Sequence, residues 1–98
     1  MGKSILDGRS KSLIAKQQSI QSLHSLIAST LEQHGITENH IEADIIIMDV
    51  LAITRVELIS SQDSIVSADQ LHSIESIITR RMRREPLAYI LGYQPFYG

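Results

Sequence analysis

Any chemistry in this 98-residue chain must come from four histidines, eleven carboxylates, nine basic side chains and scattered hydroxyls, because it contains no cysteine. That absence excludes a disulfide framework, a thiolate metal site and a cysteine nucleophile. The histidines are His24, His34, His40 and His72. His40 and Asp44 stand four residues apart and can share a helix face. Two ligands do not make a zinc site, which needs three or four, and no HExxH pattern is present. Histidines at helix surfaces or ends are the expectation. Glu42, Asp44, Asp49, Asp63 and Asp69 are dispersed. An acid catalyst needs a desolvated pocket, which a small aliphatic bundle seldom provides. No GxSxG elbow activates a serine. The five glycines form neither a P-loop nor a GxGxxG turn.

The basic residues are segregated. Lys3, Arg9, Lys11 and Lys16 lie near the N-terminus, and Arg80, Arg81, Arg83 and Arg84 lie together. From Gln17 to Thr79, Arg55 alone faces nine acids, a balance of −8. That balance opposes a nucleic-acid binder, as does the overall charge of −2. The arginine group has two readings. It can offset the negative end of a helix, each charge contributing about 0.3–1 kcal/mol. It can also dock an acidic or phosphorylated partner. Arg81 and Glu85, four residues apart, can pair.

The elements that must position these groups are helical. Ile20, Leu23, Ile27 and Leu31 form an apolar stripe over a helix from about Ser19 to His34, possible from Ser12, and Gly35 suits its left-handed end. A second helix is expected from Glu38 to Ala52 with Thr37 as N-cap. Ile41, Ile45, Ile46, Ile47, Met48, Val50 and Leu51 make it apolar most of the way round, hence buried. Thr54-Arg-Val-Glu57 and Ser67-Ala-Asp-Gln70 read as capping boxes. The first opens a two-turn helix. The second opens an amphipathic helix with Leu71, Ile74, Ile77, Ile78 and Met82 inward, ending in the arginines. Glu85-Pro86 starts a last short helix over 87–91, stopped by Gly92. No sheet is expected. No apolar run approaches the ~18–20 residues of a membrane span.

The aromatics are confined to Tyr89, Tyr93, Phe96 and Tyr97, so any core before residue 89 is aliphatic. Residues 1–18 read as a flexible or partly helical leader, polar and basic. Vector-derived residues and a weak transit-type peptide are the competing readings. Residues 19–92 form the helical domain, and 93–98 read as extended chain.

The most specific signal is the C-terminal string, with Arg80, Arg81, Glu85-Pro86, Ala88-Tyr89-Ile90-Leu91-Gly92 and Phe96-Tyr97-Gly98. It resembles the run that closes the N-terminal helical domain of the HemK/PrmC methyltransferases, which modify peptide-chain release factors. Glu42-Ala43-Asp44 with the aliphatics after it, and Arg55 with Leu58, are similar to the same family. The resemblance covers about residues 20–98. Two departures stand out: the family commonly has glycine where Ala52 and Arg84 stand, changes expected to be tolerable within helices and to lengthen the fourth.

The resemblance implies an all-α bundle of four to five short helices, with an extended C-terminal segment leading toward a catalytic domain that these 98 residues lack. That domain is Rossmann-like, uses S-adenosylmethionine and carries an Asn-Pro-Pro-Tyr motif. No catalytic, cofactor-binding or metal-binding residue is therefore expected here. The implied partners are a release factor, at Arg80, Arg81, Arg83 and Arg84, and the protein's own catalytic domain, at Tyr93, Phe96 and Tyr97. Neither a membrane nor direct nucleic-acid contact is implied. The implied location is cytoplasmic, or organellar if the leader is a transit peptide. The alternative is a free-standing helical protein-interaction module.

Overall fold

A computed structural model describes residues 18–92. The expected leader, except Gln18, and the expected interdomain contacts Tyr93, Phe96 and Tyr97 lie outside the described residues. Within them the order is β1 (Gln18–Ser19), α1 (Ile20–Gln33), α2 (Asn39–Leu51), α3 (Arg55–Ser60), β2 (Ile65–Val66), α4 (Ala68–Met82) and α5 (Leu87–Leu91). The all-α expectation holds.

Both capping boxes form. The Glu57 amide donates to Thr54 Oγ1 at 3.1 Å, and the Thr54 amide to Glu57 Oε1 at 2.8 Å. Ser67 and Gln70 repeat this at 3.2 and 3.0 Å. Ser19 starts α1 by accepting from the Ser22 amide. The α2 start differs from expectation. Thr37 is not its cap; Glu38 occupies that place and makes no side-chain cap bond. The next residue, Asn39, is buried instead, and its amide donates to the Ile36 and Thr37 carbonyls at 3.0 and 3.4 Å. An asparagine under the turn thus satisfies carbonyls of the loop that precedes the helix.

Three helices end in the same way. After α1, Ile36 N–H donates to Leu31 O and Gly35 N–H to Glu32 O, with Gly35 at φ +81°. This is a Schellman turn, whose pivot must be left-handed. After α2, Ile53 N–H donates to Met48 O, and the pivot is Ala52 at φ +57°. After α4, Glu85 N–H reaches Arg80 O and Arg84 N–H reaches Arg81 O, with Arg84 at φ +70°. The expectation that Ala52 and Arg84 sit within helices, lengthening the fourth, is therefore corrected. Each is the pivot that terminates a helix, a position where glycine avoids the clash between Cβ and the carbonyl oxygen. Gly92, at φ +78°, closes α5 as expected.

A small sheet is also present, contrary to expectation. β1 and β2 pair antiparallel, Gln18 with Val66 and Ser19 with Ile65. The pairing runs on into α1, where Ile20 and Gln21 N–H groups donate to Ser64 and Gln62 carbonyls. These are helix-start donors with no intrahelical acceptor, and the 62–66 segment supplies one for each. Two-residue strands leave no periodic signal in a sequence.

α2 is the central helix, packed on α1, α3 and α4. Leu23, Ile27, Leu31, Ile46, Ile47, Val66 and Ile74 are fully enclosed, each contributing roughly 1.5–3 kcal/mol. The core is aliphatic throughout. α2 is less enclosed than its composition suggests: Ala43, Ile46 and Ile47 are buried, whereas Ile41 is 54% exposed. No described helix is long and apolar enough to cross a membrane.

Candidate functional site

The arginine group sits at the corner where α4 gives way to α5. Three of its four members are engaged in internal contacts. Arg81 forms a two-pronged pair with Glu42 of α2, Nε to Oε1 at 2.8 Å and Nη2 to Oε2 at 3.1 Å. Both side chains are largely shielded, at 17% and 14% exposure. The Arg81 Nη1 donates to the Glu85 carbonyl at 3.1 Å. Hydrogen bonding to Glu42 raises the Arg81 pKa, and attraction to the carboxylate adds to this, although burial opposes it. The guanidinium is therefore a permanent charge. Arg80 holds the Glu85 carboxylate at 2.8 and 3.0 Å. Arg84 donates to the His34 carbonyl at 2.7 Å, which covers a free carbonyl at the end of α1. Arg83, the C-cap of α4, is exposed and makes no ion pair with the described residues.

Arg81 and Glu85 do meet, but through the Glu85 backbone; the carboxylate goes to Arg80. Much of the cluster thus fastens α4 to α1, α2 and the start of α5. Fixing long side chains in this way leaves a rigid, positively charged corner with Arg83 outermost.

A second polar site lies on another side of the molecule. His24 of α1 meets Asp44 of α2, Nε2 to Oδ1 at 2.6 Å, and Arg55 of α3 donates to Asp44 Oδ2 at 2.9 Å. The His40 ring stacks against His24, with centroids 5.8 Å apart. His40 and Asp44 do share a side of α2, yet Asp44 is taken by His24 and Arg55. Gln21, Ser25, Leu58, Ile59 and Gln62 complete a cleft of about 390 Å³ with His24, Asp44 and Arg55. Each Asp44 oxygen accepts one of these bonds, Oδ1 from His24 and Oδ2 from Arg55. The set joins three helices by their side chains. Among the described residues, no group of three histidines or carboxylates is placed to hold a metal ion.

Sequence reasoning missed both cross-helix sets. Glu42 and Arg81 are 39 residues apart, and His24 and Asp44 are 20 apart. Weak signals were present. Arg55 is the lone base in a long acidic stretch. Glu42 is a carboxylate in a helix apolar on most sides, where an unpaired charge is costly.

The chain's residues 22–92 match the family model described as the PrmC N-terminal domain. The chain belongs to the HemK/PrmC family, as an N-terminal domain. Among its PrmC relatives, the release factor glutamine methyltransferase of Thermodesulfovibrio yellowstonii is 45% identical over 57 residues, covering 58% of this chain and 20% of that protein. The release factor glutamine methyltransferase of Aliivibrio fischeri is 30% identical over 82% of this chain and 28% of its own length. A bifunctional methyltransferase of Rickettsia felis is 30% identical over 84% of this chain and 16% of its own. The matched segment thus spans less than a third of each of these PrmC relatives. No solved structure matches the chain. The pivots Ala52 and Arg84 have positive φ angles, the backbone conformation that favours glycine.

Proposed function

We propose that this chain is the substrate-docking N-terminal domain of a release-factor glutamine-N5 methyltransferase. The observation that carries the reading is the match of residues 22–92 to the N-terminal family model, beside relatives named as release factor glutamine methyltransferases. Methyl transfer to an amide nitrogen requires the amide to be held against an activated methyl group. In this reading S-adenosylmethionine supplies the methyl group in a catalytic domain outside these 98 residues. The helical domain adds binding energy remote from the reacting atoms, which positions a large protein substrate.

Arg80, Arg81, Arg83 and Arg84 are the proposed contact surface for the release factor. The first two and Arg84 stiffen the corner through their internal bonds, and Arg83 presents an available charge. Tyr93, Phe96 and Tyr97 are proposed to pack against the catalytic domain. A cytoplasmic location accords with a substrate of the translation machinery.

Titration of a bacterial release factor onto the chain, followed by calorimetry, tests the reading. Saturable one-to-one binding is expected, weakened about tenfold by Arg83→Glu, equivalent to about 1.4 kcal/mol. Absence of binding at high micromolar concentration overturns it. The same instrument should register no heat on addition of S-adenosylmethionine, and stoichiometric uptake would place the donor site in this domain instead.

A further inference from the structure

α5 poses a question that the core does not answer. Its sequence is Leu-Ala-Tyr-Ile-Leu, yet none of its residues is buried, and Tyr89 is 70% exposed. Five residues are far too few to hold a helix by propensity alone. The helix is held instead by its stops, its packing on α4 and an ionic mount. Pro86 precedes it and Gly92 closes it. Arg80, fixed by Glu85, carries its guanidinium over the Tyr89 ring at 5.9 Å from the centroid. Glu85 is itself held through its carbonyl by Arg81, and Arg81 by Glu42 of α2. Leu87 packs against the core and Ile90 and Leu91 are half-buried, while the Tyr89 ring is held in place open to water. What sets Tyr89 apart is its mount: a large ring with an apolar body and a polar tip is ordered by an ion pair yet left uncovered, which leaves it free to meet a partner surface.

The occupant follows from length and place. The matched segment covers 20% of the Thermodesulfovibrio relative and 28% of the Aliivibrio one, and the family model it matches is that of an N-terminal domain. In those longer proteins a large body therefore follows this segment. α5 is the last described element before that junction. Interfaces between domains of one chain are modest and mixed in polarity, which suits a tyrosine bordered by an ion pair.

We propose that α5 is the shelf on which the following domain sits, with Tyr89 as its anchor and the Arg80–Glu85 pair as the mount that orients it. This inference rests on reading the chain as the N-terminal domain of a longer methyltransferase. It extends the contact beyond the aromatic segment 93–98 to a helix of the bundle itself.

The test is a chimera in which this chain replaces the matching segment of the Thermodesulfovibrio release factor glutamine methyltransferase, compared with the 98-residue chain alone. Amide hydrogen exchange is followed in α5. Exchange in α5 should be at least tenfold slower in the chimera. Tyr89→Ser should restore the rate of the free chain, and Arg80→Ala should do so in part. Val56→Ser, at an exposed apolar residue of α3, should change nothing in α5. Equal α5 exchange in chimera and free chain overturns the proposal. So does a concentration-dependent dimer of the free chain abolished by Tyr89→Ser, which would assign the shelf to a second copy. Methyl transfer by the chimera to a release factor reports separately on the underlying reading: an active chimera with an unprotected α5 sinks the shelf alone, whereas an inactive one with a protected α5 counts against the reading.

Discussion

Replacing Ala52 by glycine should stabilise the domain, the reverse of what glycine does inside a helix. Ala52 is exposed and sits at φ +57°, ψ +46°, as the pivot of the turn that ends α2. An L-residue in that conformation costs roughly 1–2 kcal/mol through contact of Cβ with the following carbonyl oxygen. Glycine removes the contact but brings a more flexible unfolded chain, a penalty of about 0.4–1 kcal/mol. The Ala52 methyl group is not part of the buried core, so little packing is lost. The net gain is about 0.5–1 kcal/mol, or a Tm rise of roughly 2–8 °C for a domain of this size. Thermal unfolding followed by far-ultraviolet circular dichroism measures it. Two controls bracket the result. Ser73→Gly, on an exposed position of α4, should lower stability by about 0.5–1 kcal/mol. Ala52→Val should lower it too, because a β-branched side chain tolerates the left-handed region worst. An unchanged or lowered Tm for Ala52→Gly refutes the assignment of strain to this pivot.

Two further outcomes follow. Removing either partner of the Glu42–Arg81 pair should cost about 1–3 kcal/mol, with a coupling of about 0.5–3 kcal/mol in a double-mutant cycle read by urea denaturation. Because the Arg81 pKa is raised in the folded state, its contribution is complete below the unfolded value and is lost only as pH climbs through the folded one, in strong alkali. The cost of Arg81→Ala should therefore be flat across neutral pH, and a marked slope there contradicts the sign. Thr54→Ala removes the acceptor of the Glu57 amide and should cost about 1 kcal/mol, most of it recovered by Thr54→Ser. An alanine variant as stable as the parent shows that α3 does not depend on its box.

The local order of this protein is written in short stretches of its sequence. The boxes at Thr54 and Ser67, the stop at Gly35 and the Pro86-to-Gly92 helix each depend on groups within a few residues of one another, so their chemistry is visible in one dimension. The aliphatic stripes of α1 and α4 identify the core for the same reason, since a helix repeats its faces every few residues. Side-chain partners at long range were not legible. Whether Arg81 takes the Glu42 or the Glu85 carboxylate depends on how α2 and α4 lie against each other, and Asp44 chooses His24 over its own helix neighbour His40 because α1 packs alongside. Ala52 and Arg84 show the boundary most sharply. Residue type alone allowed a longer helix there, and only the backbone, turning left-handed so that the next element could reach the core, ended it. A helix ends where packing needs the chain to turn, and that need belongs to the folded whole.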